Sequence, residues 1–524
     1  MTYYVLLDAM GIQRTVFETN KLKVILGASL QLAQWQLYCR DSRAKSGASY
    51  MSSAGGNVLA GFDDDTKARM FIEDACLAAQ GCGFSVAWAL TERKNRETDQ
   101  EVWQKLQVEI GRFKAGDRDA TDYAYLPELP KIDNKNICTF CGMRTREKSD
   151  GGAADRDKAC TVCKERILLK EKDKKAAAGT ATNLEMLYAN HDFAEDLEAI
   201  AGVKTGDERA SVAVVVMDLN DMGNRVKRII GGQSDEFKTF GVFSRSLEEE
   251  LFTLFDGALK TVFGVSKSLP CQPLLFAGDD VAFVMREDYW IPFVNEVFKG
   301  LKTVKLDGGP VTCGAGVVIA PHNFPINRLV DMAEELAGNA KRLFRHRQAG
   351  GKDAESVLDW HVFQESAFAS ALEARQRLFL QEVQTNEEAY MATDKPYTAS
   401  EFNTLCGGAK KFWGNLPETK RHGLYEALCY GPEATRDFLA LQLLRDENDQ
   451  LQKYDGIWQA VEDWNTQKQD GDPVLWHTLK TDRNGALEGS GAESGPYKTD
   501  ITLHYTDCTD SMELYWMQQK GSGQ

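Results

Sequence analysis

Long apolar runs are missing from this chain. The longest, such as Val212 to Met217, are the length of a strand, well short of the roughly 20 residues that a membrane-spanning helix needs. The N-terminus, Met1-Thr-Tyr-Tyr-Val-Leu-Leu-Asp8, has neither the basic segment nor the apolar core of an export signal, so the expected location is the cytoplasm. Positive charge is also in short supply. With 62 Lys and Arg against 78 Asp and Glu, the formal net charge is −16. That excludes binding of duplex nucleic acid by a generally basic surface, because phosphate neutralisation needs clustered cations; a local basic groove stays open. A disulfide framework is absent as well. Of the 12 cysteines, eight (Cys39, Cys76, Cys82, Cys271, Cys313, Cys406, Cys429 and Cys508) are scattered, mostly among apolar residues, which suits a reducing compartment.

What the chain does have is enough material for three or four globular domains: 524 residues, 43% of them apolar. Its other four cysteines form two Cys-x-x-Cys pairs, Cys138 with Cys141 and Cys160 with Cys163, separated by an 18-residue segment rich in Gly, Asp and Lys. Each pair can clamp one ion from a knuckle turn, and two pairs give the tetrahedral thiolate set that zinc prefers. A redox role fits less well, because thioredoxin-type motifs are single and open a helix. Four Cys ligands leave no open coordination position, so the zinc is expected to be structural.

The rest of the chain is organised around Pro270 to Met285, two apolar strands meeting at Ala277-Gly-Asp-Asp280. Adjacent carboxylates repel, and a turn selected for stability alone would more readily use Asn-Gly or Asp-Gly. A divalent cation removes the conflict, and Gly278 leaves room for a metal or a phosphate to approach the backbone. The bland alternative is a solvated Asp-Asp turn.

Hydrophobic periodicity places this hairpin inside a repeat. A strand over residues 3–8, a helix over 20–38, a hairpin over 50–62, a helix over 66–80, a strand over 83–90 and a helix over 99–114 give the order βαββαβ, the ferredoxin-like arrangement. From Ser211 the order recurs: a strand ending at Asp218, a helix over about 236–263, the Asp-Asp hairpin, a helix over 291–302, a strand over 311–319 and a helix over 326–344. Superposing the halves puts Asp8 on Asp218, Gly55 on Gly278, Gly56 on Asp279 and Asn57 on Asp280. The first copy has lost the paired carboxylates and is expected to be a structural or regulatory partner of the second. The expected fold class is α+β: two ferredoxin-like domains, a zinc-binding insert between them and a helical C-terminal domain. The expected division is 1–130, 131–180, 181–380 and 381–524. Residues 358–363 read as a last strand, and the terminal Gly-, Ser- and Asp-rich tail has no assignment.

In such a sheet the first strand and the central hairpin are neighbours, so Asp218 should face Asp279 and Asp280. Three carboxylates suit Mg2+ or Mn2+, completed by water and substrate phosphates. Two such ions about 4 Å apart can activate a hydroxyl and stabilise a leaving pyrophosphate, which makes this a candidate nucleotidyl-transfer site. The loop Leu219, Asn220, Met222 and Gly223 would offer backbone amides to a triphosphate where the next helix begins. Ala277 and Gly278 would lie beside the nucleotide, and Lys341 would reach the β and γ phosphates, although a helical lysine is ordinarily a solvated one. Asn220 and Asn224 could read ribose or base, or serve only as turn residues.

Residues 212–223, 273–283 and Gly314 to Pro325, together with Ala333-Glu-Glu-Leu-Ala337 and Ala340-Lys-Arg342, resemble the second palm domain of the large polymerase-cyclase subunit of type III CRISPR effector complexes, a family similar to GGDEF diguanylate cyclases. Gly11 to Lys23 with Gly27-Ala-Ser29 resembles the family's first palm, and the cysteine cluster lies between the palms as it does there. The resemblance covers most of residues 1–380. It implies synthesis of cyclic oligoadenylates from ATP at the second palm, with Asp218, Asp279 and Asp280 as metal ligands and Lys341 as a phosphate contact, in relatives switched on by target RNA. Ala277 stands where the family's Gly-Gly-Asp-Asp begins with Gly, adding one methyl beside the nucleotide. No HD nuclease precedes the first palm, so no DNase activity is expected. Expected partners are nucleoside triphosphates, crRNA-bearing effector proteins or target RNA, or a second copy in a homodimer. The alternative from another class is a non-catalytic scaffold subunit of a ribonucleoprotein; a template-dependent polymerase is disfavoured by the acidic balance.

Overall fold

A computed structural model describes residues 2–42, 47–48, 50–117, 136–146, 158–172, 182–203, 210–231, 236–264, 268–306, 309–363, 370–383, 388–414, 416–448, 475, 477–478 and 502–522. The first sheet is built from β1 (Thr2–Met10), β2 (Tyr50–Ala54), β3 (Asn57–Phe62) and β4 (Ser85–Arg93), in the order β2-β3-β1-β4. Helices Leu22–Asp41, Asp65–Gly81 and Asp99–Lys114 connect or follow its strands. Local chemistry marks the helix starts. Asp64 accepts from the Lys67 amide, and Thr98 with Glu101 forms a reciprocal capping box ahead of Asp99.

The second sheet repeats this order and extends it. Its strands are β5 (Ser211–Leu219), β6 (Cys271–Ala277), β7 (Asp280–Arg286), β10 (Cys313–Pro321), β11 (Val357–Val362) and β14 (Tyr397–Thr398), with β8 (Lys305–Leu306) and β9 (Gly309–Pro310) forming a separate short ribbon. The order β14-β11-β10-β5-β7-β6 contains β10-β5-β7-β6, the counterpart of β4-β1-β3-β2 and the ferredoxin-like sequence of strands. β11 joins β10 in parallel. Where one helix was expected after β5, two occur, Met222–Ile230 and Glu236–Phe263.

β5 is apolar from Val212 to Met217 because both its faces are covered there. Ala213, Val215 and Met217 pack with Leu251, Phe255 and Phe293 from the helices Glu236–Phe263 and Trp290–Leu301. Val212, Val214 and Val216 share a second core with Ala333 and Ala337 of helix Ile326–Ala349 and with Leu6 and Val58 of the first sheet. The alternation of a strand sends successive side chains to opposite sides, and one of those sides is the junction between the two sheets.

Beyond residue 380, helices Ala399–Gly414, Glu418–Cys429, Pro432–Asn448 and Cys508–Ser522 fit the helical expectation. They are joined by a four-stranded sheet that the expectation left out, β12-β13-β16-β15, formed by β12 (Leu380–Val383), β13 (Glu388–Met391), β15 (His477–Thr478) and β16 (Thr502–Tyr505). Runs of two to four residues are too short for an alternating pattern to register. The expected boundary at 380/381 falls inside β12, whereas those at 130/131 and 180/181 lie outside the described residues. Among the described residues, no helix is long and apolar enough to cross a membrane.

Candidate functional site

The register of the two sheets aligns their halves residue for residue. Asp218 on β5 lies opposite Asp280 on β7, and Asp8 on β1 lies opposite Asn57 on β3. Each hairpin closes with a two-residue turn: Ala277 pairs with Asp280 across Gly278-Asp279, and Ala54 pairs with Asn57 across Gly55-Gly56. Gly278 has φ of 66°, Gly55 and Gly56 have φ of 58° and 81°, values that a side chain disfavours. The superposition read from the sequence is therefore that of the strand pairing. The two turns also meet. A Cβ on Gly55 would stand 3.5 Å from Asp279 Oδ1, so the tip of the first hairpin abuts the acidic turn of the second.

Lys341 reaches this site because β10 has glycines beneath it. Gly314 is the register partner of Asp218, and Gly316 that of Val216. A Cβ on Gly316 would overlap the Ala333 carbonyl and the Ala337 amide, and one on Gly314 would stand 2.6 Å from Lys341 Cγ. The helix Ile326–Ala349 thus lies directly on the strand. Its Lys341 ammonium forms an ion pair with Asp218 and donates to the Leu219 carbonyl at 3.1 Å.

The acidic groups are held in a poorly solvated place. Burial, then the charges of Asp218 and Asp279, push the Asp280 carboxyl up to about 7, with Lys341 opposing. Burial and Asp218 raise Asp279 in the same direction. A fourth carboxylate that sequence reasoning did not single out shares this field. Glu334 is raised to about 7 by burial and by Asp331, Asp280 and Asp218. It lies two turns before Lys341 on one helix face, within the stretch Ala333-Glu-Glu-Leu-Ala337 that carries part of the resemblance. The first sheet has a muted counterpart: Lys114, at the end of the helix after β4, donates to Asp8 at 2.7 Å.

The loop after β5 divides into inward and outward parts. Asn220 is buried; its amide donates to Thr312 O at 2.8 Å and its Nδ2 to Thr312 Oγ1 at 3.1 Å. Asp221 adopts a left-handed φ of 62° and places no side-chain cap on the helix Met222–Ile230, whose first-turn amides have no intrahelical acceptor. Asn224 Nδ2 donates to the Asp221 carboxylate. Met222 is half-buried and Gly223 exposed; a Cβ on Gly223 would meet nothing within 4 Å, so the protein's own packing does not require glycine there. Ala277 and Gly278 are buried at the hairpin end.

The cysteine set lies apart from this site. Cys138, Cys141, Cys160 and Cys163 are all buried, and their sulfurs lie within 4.8 Å of one another. Among the described residues, this is the one group of three or more His, Cys, Asp or Glu whose ligand atoms approach so closely. Four converging thiols with no further donor suit a closed zinc site. Its helix Thr161–Lys172 is seated on the first sheet's helix Leu22–Asp41, where a Cβ on Gly27 would overlap the Arg166 carbonyl. Buried Arg166 donates to Glu18 at 2.6 Å and to Gln31 at 3.0 Å, and Arg144 from the first knuckle also donates to Glu18 at 2.6 Å.

No protein-family model matches the chain, and no curated protein matches it. Solved structures do. The structural neighbours include Csm1-Csm4 cassettes of the type III-A CRISPR-Csm system. A cassette in complex with cA4 superposes with a TM-score of 0.51 at 13% identity, covering 99% of this chain and 70% of the other. A cassette in complex with pppApA gives a TM-score of 0.51 at 13% identity, covering 99% and 69%. At these identities the likeness is one of fold.

Proposed function

We propose that the chain is a nucleotidyltransferase of the type III CRISPR cyclase kind, joining nucleoside triphosphates, ATP above all, into cyclic oligonucleotides that act as antiviral second messengers. The observation that carries this reading is the convergence at one sheet end of Asp218, Asp280 and Lys341, against the neighbouring Asp279 turn. The two ferredoxin-like sheets are then read as palm domains, of which the second is catalytic. The fold likeness to cassettes solved with cA4 and pppApA supports the choice of substrate class.

Asp218, Asp279 and Asp280 would hold Mg2+ or Mn2+; the burial of Asp279 and Asp280 and the repulsion they feel from Asp218 are what a divalent cation relieves. When bound, such ions lower the pKa of an attacking hydroxyl and neutralise a departing pyrophosphate. The remaining work falls to the chain's own groups. The Lys341 ammonium, already balanced between a carboxylate and a carbonyl, binds the β and γ phosphates. First-turn amides at Met222 and Gly223 cradle the triphosphate. The Gly55 turn forms the opposing wall that orients a second nucleotide's 3′-hydroxyl toward the α-phosphorus. Ala277 and Gly278 complete the floor. The facing turns belong to one chain, so the composite site needs no homodimer, and the favoured macromolecular partners are a Csm4-like subunit, crRNA and target RNA.

The test is to incubate the purified protein with each nucleoside triphosphate and Mg2+ or Mn2+, with and without RNA, beside an Asp279→Asn, Asp280→Asn variant. The expected result is a cyclic or linear oligonucleotide from the wild type and none from the variant. Absence of product under every condition, with RNA or partner proteins co-purifying, would turn the reading toward a scaffold subunit.

A further inference from the structure

Two residues before Lys341, the same helix is held at a second point. Asn339 is buried and donates through Nδ2 to Asp359 Oδ2 at 2.7 Å. Asp359 lies on β11 with no solvent exposure, opposite Gly316, and accepts from Arg375 Nη1 at 3.1 Å and Nη2 at 2.5 Å. Arg375 also donates to the Trp360 carbonyl at 3.0 Å, and Asn339 Oδ1 accepts from Arg342 at 3.0 Å. A buried Asp–Arg pair is weak evidence of stabilisation, since apolar residues of like volume often do as well; its better-attested use is to specify register.

Hydrogen bonding adds direction to a contact that is otherwise apolar. The helix meets β10 through Ala333, Ala337 and Ala340 over Gly314 and Gly316, flanked by Leu329, Val330, Met332 and Leu336 in one core and by Leu343 and Phe344 against Val357 in another; Asn339 is a polar tie between this helix and β11 close to Lys341. A slip of one residue would rotate Lys341 by about 100° and shift it by about 1.5 Å, taking its ammonium off Asp218. We propose that Asp359 is a positioning residue for Lys341: through Asn339 it sets the rotation and height of the helix, and so places the ammonium between the Asp218 carboxylate and the Leu219 carbonyl. The strand bearing Asp359 is itself braced from the C-terminal layer, where Trp360 Nε1 donates to Glu513 at 2.9 Å and the Lys395 ammonium lies 4.3 Å above the Trp360 ring. The consequence for catalysis rests on the proposed role of Lys341; the positioning does not.

The experiment measures the rate at which an amine-acylating reagent modifies Lys341 in the full-length, zinc-loaded chain, read by peptide mass spectrometry. Asn339→Ala and Asp359→Asn should each accelerate Lys341 modification about five- to tenfold, leaving Lys105 and Lys299 unchanged. Unchanged labelling of Lys341 in the folded variants overturns the proposal. So does acceleration at all lysines alike, which marks the pair as merely structural. Where nucleotide turnover is measurable, Asn339→Ala should lower it in the wild type and cause no further loss in Lys341→Ala. If the wild type turns over no nucleotide, the functional reading falls while the labelling still decides the positioning.

Discussion

Replacing Asp280 with Asn should make the metal-free protein more stable at alkaline pH while removing the proposed nucleotidyl transfer. The folded protein raises this carboxyl from 3.8 to about 7, so it keeps its proton in a range where the unfolded chain has lost it. Stability is unaffected below about pH 4, falls as pH rises toward 7, and is constant above. At 1.36 kcal/mol per pKa unit, the ionised form costs about 4 kcal/mol at pH 8; incomplete burial and solvent response reduce the expected gain to about 2–3 kcal/mol. The amide has nearly the same shape and no charge, so that amount should return on substitution. The assay is thermal unfolding in EDTA at pH 5 and pH 8. The variant should melt above the wild type at pH 8, and by less than half that margin at pH 5. Millimolar Mg2+ or Mn2+ should raise the wild type and barely move the variant. Equal melting temperatures at pH 8, or a difference independent of pH, would refute the claim that burial and the neighbouring carboxylates strain this group.

Gly314→Ala inserts a methyl 2.6 Å from Lys341 Cγ; it should lower nucleotide affinity about tenfold by displacing the lysine, measurable by calorimetry, with a stability loss of about 1–3 kcal/mol from overpacking. Metal analysis should find one zinc per chain, and Cys160→Ser should release it and lower the melting temperature, because Arg144 and Arg166 lose the frame that holds them on Glu18. Lys341→Met keeps the stem over Gly314 and removes the charge, so folding should survive while turnover falls at least a hundredfold; wild-type rates in that variant would remove Lys341 from the phosphate site.

Much of the candidate site was legible because it rests on local signals. The two Cys-x-x-Cys pairs state their own geometry. The strand ending at Asp218 and the turn at Gly278-Asp279 follow from period-two apolar runs and from glycine's access to positive φ, and the repeat then supplies the pairing of Asp218 with Asp280. Lys341 stood out through its place in the repeat. Tertiary structure decided the rest, since burial and neighbours separated in sequence cannot be read from spacing. Asn220 makes its hydrogen bonds to Thr312, 92 residues away, and Glu334 looks like any solvated helical acid until the second sheet brings Asp218 and Asp280 into its field. Lys114 became significant only by touching Asp8, 106 residues earlier. The short C-terminal strands carry no period of their own and exist by pairing. The sequence by itself determined which residues could bear charge and where the chain could turn; only the packed sheets decided which charges share one poorly solvated space, because repulsion and desolvation depend on distance and water rather than on order along the chain.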